Sequence, residues 1–180
     1  MSTPARPLVA VLLGTDCHRF DRLVGWVQQA SASSDVSWFV QHGATPLPPG
    51  LNGKSLLGAD ELDGLLNRAA AVVTHGGPGL IMESRTHGHF PVVVARDPAL
   101  REHVDQHQQR FVTRIAAAGL CTSVHSRSEL EAAVASALDS GRTTIQQESG
   151  GLTERVGELI DDLVTAGRPE RRTGRLAWLR

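Results

Sequence analysis

Three observations predict an α/β chain built on a doubly wound parallel sheet. The runs Leu8 to Leu13, Ala71 to Val73 and Pro91 to Ala95 are short and continuously apolar, as suits strands covered on both faces. Between them lie segments whose apolar residues recur at helical spacing. Each run is followed by turn-forming or polar residues: Gly14 and Thr15, His75 to Gly79, and Arg96 to Pro98. Strands alternating with helices at this interval give a Rossmann-like parallel sheet with helices on both faces.

Taken in order, Leu8 to Leu13 is the first strand, ending at Gly14. Phe20, Leu23, Val24 and Val27 mark a first helix that stops near Ser31 to Ser34, and Ser37 to Gln41 supplies a second strand. Gly43 to Gly53 is rich in Pro and Gly and reads as a surface loop. Asp60 suits the N-cap of a helix carrying Leu62, Leu65 and Leu66, which leads into the Ala71 strand. A helix follows the Gly-rich turn through Ile81 to His87, with Gly88 as its stop, and Pro91 to Ala95 is the next strand. Val104 to Ala118 places Phe111, Val112 and Ile115 on one helical face, Gly119 ends it, and Leu120 to Val124 is the last strand. Helices over Ser128 to Leu138 and Leu152 to Val164 close a domain spanning residues 1–166, leaving 167–180 as a basic tail.

The 180 residues and 19.3 kDa suit one domain, large enough to bury about 70% of its unfolded surface without staples. A net charge of -1 gives no reason to expect a nucleic-acid partner. Cys17 and Cys121 are too few for a disulfide framework, which favours a reducing, cytoplasmic setting. The apolar run before Gly14 is too short for a signal core or a membrane span.

The most informative stretch is Ala71 to Glu83. Gly76, Gly77 and Gly79 let a ligand approach the backbone closely, and Pro78 near a helix start gives up only a donor the helix cannot use. The free N–H groups and the helix dipole favour an anion such as phosphate, by about 0.3–1 kcal/mol for the dipole alone. Glu83, about one helical turn further on, is placed to accept from a sugar hydroxyl. Alone, this stretch reads equally well as a tight strand-to-helix turn with a solvated Glu.

Ligands of open α/β sheets bind beyond the carboxyl ends of the strands. Gly14 to His18, His75 to Gly79 and Asp97 to Gln108 all follow strands and are expected to gather at one edge. The third group holds Glu102, His103, Asp105, His107 and Gln108, whose donors and acceptors suit sugar hydroxyls; the plainer reading makes Asp105 an N-cap among solvated neighbours.

Other readings fail on spacing. Gly53, Lys54 and Ser55 look like the end of a P-loop, but Pro48 stands where its first Gly is required. His75 to Gly79 resembles an oxyanion-hole turn of α/β-hydrolases, yet no G-x-S-x-G nucleophile elbow follows. His75, His87, His89, His103 and His107 contain no HExxH pair, so neither a metal nor another cofactor is expected.

Taken together, Gly14, Thr15, Phe20, Arg22 and Leu23, then Thr74 to Gly77, Gly79 and Glu83, then Glu102 to Asp105 with His107 and Gln108 resemble the C-terminal, donor-binding domain of glycosyltransferase family 28. The resemblance covers most of the chain. It extends to short stand-alone members: bacterial polysaccharide glycosyltransferase subunits, and the catalytic subunit of the two-subunit N-acetylglucosaminyltransferase of dolichol-linked oligosaccharide synthesis. It implies one half of a GT-B architecture, a UDP-sugar donor, transfer of a hexosyl unit with inversion, and no metal. By resemblance Gly14, Thr15, Gly76, Gly77 and Gly79 face the diphosphate, with His75 in the same motif. Glu83 then faces the ribose, and His107 with Gln108 faces the donor sugar; Asp105, from the residue pattern, joins them as a substrate-binding candidate. The pattern departs at Asp16, where bacterial stand-alone members commonly have His; here His18 stands two positions later.

The acceptor-binding half of a GT-B enzyme, which often carries the catalytic base, is not among these residues. The resemblance therefore implies an acceptor-binding, membrane-associated partner subunit, with this chain cytoplasmic and peripheral at the inner face of the membrane through that partner. A catalytically silent nucleotide-sugar-binding or enhancer subunit is the alternative. Arg168, Arg171, Arg172, Arg175 and Arg180 alternate with Leu176, Trp178 and Leu179, which suits either docking to a partner or anionic membrane or a solvated terminus.

Overall fold

The computed structural model describes residues 6–142; the helix expected over Leu152 to Val164, the boundary at 166 and the basic tail lie outside them. Among these described residues six strands form one sheet in the order β3-β2-β1-β4-β5-β6, with every neighbouring pair parallel. The strands are β1 (Leu8–Leu12), β2 (Ser37–Gln41), β3 (Asn52–Lys54), β4 (Ala71–His75), β5 (Val92–Val94) and β6 (Thr122–Ser123). The helices are α1 (Asp21–Ser33), α2 (Ala59–Arg68), α3 (Pro78–Thr86), α4 (His107–Ala117) and α5 (Arg127–Ser140), with a 3₁₀ turn at Pro98–Leu100.

Side chains alternate across each strand, so β1 feeds two cores. Val9, Val11 and Leu13 pack with Leu23, Val24 and Val27 of α1 and Leu130 and Val134 of α5. Ala10 and Leu12 face the other way, onto Leu65 and Leu66 of α2. On that second face Val93 meets Ile81 of α3 and Phe111, Val112 and Ile115 of α4. Helices thus cover both faces, and each fully buried Leu or Val is worth about 1.5–3 kcal/mol.

The chain winds from β1 outward to β2 and β3, then returns to lay β4 against the other side of β1. Connections leave in opposite directions from the β1–β4 boundary, which makes it the switch point where a crevice opens beyond the strand ends. The sequence places Gly14, Thr15 and His75 to Gly79 on these two strand ends.

Three elements differ from expectation. The Gly43 to Gly53 loop ends in strand β3, whose Asn52, Gly53 and Lys54 pair with Phe39, Val40 and Gln41. A Cβ on Gly53 would stand 2.2 Å from the Val40 carbonyl oxygen, so close approach to β2 sets this residue. Helix α2 begins at Ala59 behind Gly58, not at an Asp60 cap, because the Glu61 carboxylate reaches back to accept from the Gly58 N–H at 2.9 Å. Helix α4 begins at His107 instead of Val104, for a reason that belongs to the site.

Candidate functional site

The loops after β1, β4 and β5 meet at the carboxyl edge of the sheet, as expected. Gly14 follows β1 at φ +77°, a left-handed conformation, and a Cβ there would lie 2.6 Å from His75 Nε2. Gly77 abuts the same ring: its added Cβ would meet His75 Cε1 at 2.3 Å. The His75 ring therefore occupies space that a side chain at either glycine would need, and the two strand ends at the switch point are in direct contact. Burial first, then the positive charge of Arg96, pushes the His75 imidazole down to about 4, so it is neutral near pH 7.

Beyond His75, Gly76 is buried against α4, its absent Cβ leaving space filled by Val112 Cγ2 and the Gln108 side chain. Gly77 is the N-cap of α3 and Pro78 the first helical residue. The first inward backbone bond of the helix start is Ile81 N–H to Gly77 O at 3.3 Å, so the Gly79 and Leu80 N–H groups have no acceptor in the helix. Gly79 is exposed, with no atom within 4 Å of a Cβ placed on it. Glu83 stands four residues on, on the same helical face, and its side chain is 47% exposed. The Glu83 carboxylate makes no hydrogen bond among the described residues; its nearest charged neighbour is His87 Nδ1 at 3.9 Å. Open donors at the helix start and an open acceptor one turn later thus share one unobstructed face.

The loop after β5 is organised by Arg96, a buried cation only 1% exposed. Its Nη1 donates to the His18 and Glu102 carbonyls at 2.9 and 3.0 Å, and its Nη2 to the Leu13 carbonyl at 2.9 Å. The guanidinium also lies 4.7 Å from the centre of the Phe20 ring. Glu102 is buried beside it, accepting from Arg22 Nη2 at 2.7 Å and from the Asp97 N–H at 2.8 Å. These bonds hold 97–102 as a folded loop and delay the start of α4. Asp105 then accepts from the His107 N–H at 2.9 Å, and Gln106 is the N-cap. A depression of about 490 Å³ between this loop and α1 is lined by His18, Arg22, Leu100 and Glu102.

The expected site residues fall into two sets. Thr15, Gly79, Glu83, Asp105 and His107 are exposed at the edge. Gly14, Gly76 and Gln108 are buried, and His75 and Gly77 are partly so. Gly14 is committed internally: its N–H donates to Gln41 Oε1 at 2.9 Å and its carbonyl accepts from Gln41 Nε2 at 3.0 Å. Gln108, 3% exposed, lies under Gly76 with Oε1 3.4 Å from the Arg96 N–H. In this structure it supports the turn and does not reach the open edge. Asp16 turns onto histidines: it accepts from the His18 N–H at 2.7 Å, contacts His18 Nδ1 at 2.6 Å, and lies 3.3 Å from His103 Nε2. Partial burial opposes its ionisation, but the hydrogen bonds from His18 and the nearby Arg96 hold its carboxyl below the usual value.

Sequence reasoning missed Gln41 and Arg96. Both stand at the ends of apolar strands, where a lone polar side chain points to the ligand edge, and that position was the available signal.

Residues 52–163, well over half of the chain, match the glycosyltransferase family 28 C-terminal domain. The chain belongs to this family. No curated protein sequence matches the chain. Among solved structures, the calicheamicin glycosyltransferase CalG4 is similar at 21% identity and TM-score 0.58, over 98% of this chain and 44% of that one. The kitacinnamycin glycosyltransferase aligns at 20% identity and TM-score 0.58, over 93% of this chain and 42% of its own. The spinosyn rhamnosyltransferase SpnG, solved with thymidine diphosphate, aligns at 18% identity and TM-score 0.50, over 89% and 42%. This family 28 chain thus has the fold of the C-terminal half of GT-B glycosyltransferases and spans less than half the length of these structures. Among its described residues no helix is long and apolar enough to cross a membrane.

Proposed function

We propose that this family 28 chain is the donor-binding and catalytic subunit of an inverting glycosyltransferase. It transfers a hexosyl unit from a UDP-sugar to a lipid-linked acceptor in polysaccharide or glycolipid synthesis. The observation that carries the reading is the open face of α3, where the free N–H groups of Gly79 and Leu80 lead to the half-exposed Glu83 carboxylate, which makes no hydrogen bond among the described residues. A diphosphate at the helix start and a ribose hydroxyl against Glu83 fit that order. SpnG, with the same fold, was solved with a nucleoside diphosphate, which supports this ligand class.

In the transfer, the acceptor oxygen bonds to the anomeric carbon as the bond from that carbon to the diphosphate oxygen breaks. The electron pair leaves with UDP, and the acceptor proton passes to a base. Charge grows on the diphosphate, where the α3 N–H groups stabilise it in place of a cation. His107, exposed beside the turn, faces the donor sugar. The acceptor and the base belong to a membrane-associated partner subunit, which holds this chain at the cytoplasmic face.

A second reading rests on the internal commitment of Gly14 and Gln108: a silent nucleotide-sugar-binding subunit that stabilises an active partner. Calorimetric titration with UDP and a panel of UDP-sugars, without divalent metal, tests donor binding; it is expected to be saturable and lost in Glu83→Ala. Absence of binding to the isolated chain and to its complex with the partner overturns the donor reading. Unchanged transfer by a Glu83→Ala complex favours the silent subunit.

A further inference from the structure

The loop that delays α4 also brings His103, which the donor reading leaves unused, together with Asp105 and His107, which that reading places among the substrate-binding residues. His103, Asp105 and His107 do not share a helical face, since 103–106 precede the helix. The chain folds back instead. The Asp105 N–H points at His103 Nδ1 at 3.4 Å, and the His107 N–H points at Asp105 Oδ1. His103 Nδ1 then lies 3.7 Å from Asp105 Oδ1, while His107 Nδ1 hydrogen-bonds to that same oxygen. The two rings meet edge to face with centroids 4.5 Å apart. One ligand atom from each residue falls within 4.8 Å of the others.

A second feature is independent of this cluster. His103 presents its other nitrogen, Nε2, to Asp16 Oδ2 at 3.3 Å, and Asp16 is itself fixed by two contacts from His18. Because the Asp105 N–H donates to Nδ1, the lone pair of His103 is on Nδ1, and its Nε2 side lies next to the Asp16 carboxylate. A carboxylate behind a ligating imidazole fixes its tautomer and raises its basicity. Asp16, which looks misplaced beside a diphosphate, has a positive role in this arrangement.

We propose that His103 Nδ1, Asp105 Oδ1 and His107 Nδ1 form a binding site for a divalent transition-metal ion of the Zn²⁺ class, with Asp16 as the carboxylate behind His103. Ligand atoms around a tetrahedral ion at about 2.0–2.1 Å stand about 3.3 Å apart. The His103–Asp105 separation needs only a small closure, and the His107–Asp105 pair opens. The ion takes the place of the proton between His107 Nδ1 and Asp105, and in the neutral ring that proton moves to Nε2, leaving Nδ1 with its lone pair for the metal. Two imidazoles and one carboxylate suit Zn²⁺, Co²⁺ or Ni²⁺; Mg²⁺ prefers an all-oxygen octahedron. Three protein ligands leave a fourth position for water or a substrate oxygen. HExxH spacing cannot register this site, because a folded loop brings the ligands together where a helix face does not.

The test uses the full-length chain, titrated with Co²⁺ and followed by visible absorption, and with Zn²⁺ followed by calorimetry. One equivalent is expected to bind with a tetrahedral Co²⁺ spectrum and to resist excess Mg²⁺. His107→Ala and Asp105→Asn change exposed side chains and are expected to abolish binding with unchanged circular dichroism. Asp16→Asn is expected to weaken binding about 10–100-fold. Cys17, exposed beside Asp16 and His18, offers a rival thiolate site, so Cys17→Ser is expected to bind as the natural chain does. No saturable Zn²⁺ binding, binding that survives both His107→Ala and Asp105→Asn, or binding lost in Cys17→Ser overturns the proposal. Unchanged affinity in Asp16→Asn overturns the role of Asp16. No readout depends on donor binding or transfer, so the outcome is separable from the donor reading.

Discussion

The turn after β4 and the loop after β5 leave neighbouring strands and arrive at the same edge, yet different forces hold them. The turn is fixed by exclusion: His75 fills the space that Gly14 and Gly77 leave open, and α4 fills the space above Gly76. The loop is fixed by charge: Arg96 gathers carbonyls from Leu13, His18 and Glu102, and Glu102 gathers Arg22 and the Asp97 amide. The first arrangement tolerates no added carbon, and the second tolerates no lost hydrogen bond. A ligand edge assembled from both has one wall set by close packing and one set by buried hydrogen bonds.

The largest effect is expected from cutting the charged framework. Arg96→Met removes the cation and leaves the carbonyls of Leu13, His18 and Glu102 without their donors, which is expected to cost about 3–5 kcal/mol in urea unfolding. A loss below about 1 kcal/mol would mean that packing holds this loop too, and the contrast would fail.

Gly77→Ala probes the steric side. Its methyl group would press on His75 at 2.3 Å, and the expected cost is about 1–3 kcal/mol, accompanied by loss of UDP binding in calorimetry. Retained UDP affinity would show that the turn yields without disturbing α3.

The buried imidazole gives a smaller, pH-dependent effect. His75 has a folded value of about 4 against an ordinary 6.5, so between those values the unfolded chain binds more protons than the folded one. Stability is therefore expected to rise with pH across that window, and to be lost as acid takes the pH down through it. His75→Gln is expected to flatten this part of a denaturation–pH profile.

The smallest effect is expected at Gly79. Nothing surrounds its absent Cβ, so Gly79→Ala is expected to shift stability by no more than about 0.5–1 kcal/mol, in the stabilising direction because Ala favours a helix. Its methyl group stands on the open face before Glu83, so UDP affinity is expected to fall. Paired with Gly77→Ala, it separates a glycine needed by the fold from one needed by a ligand.

The same contrast explains what could be read from the sequence. Continuous apolar runs announced β1, β4 and β5, and Gly76 to Gly79 announced the turn, because burial on both faces and close approach each demand particular residue types locally. Strand β3 was hidden because Asn52, Gly53 and Lys54 have no strand preference of their own; the β2 ladder imposes their conformation. The start of α4 was hidden because Arg22 and Glu102 pair across 80 positions, a distance that no local pattern spans. For the same reason Gln108 looked like part of the open edge, although its place under Gly76 is set by tertiary packing.

Among the described residues the sheet ends in strands of three and two residues, β3 with Lys54 on one side and β6 on the other. An outer strand offers unpaired backbone groups on which a second chain can grow, and these two offer very short templates, one bearing a charge. The two described rims thus offer little backbone for edge-to-edge pairing, and substitutions there have little to gain in solubility.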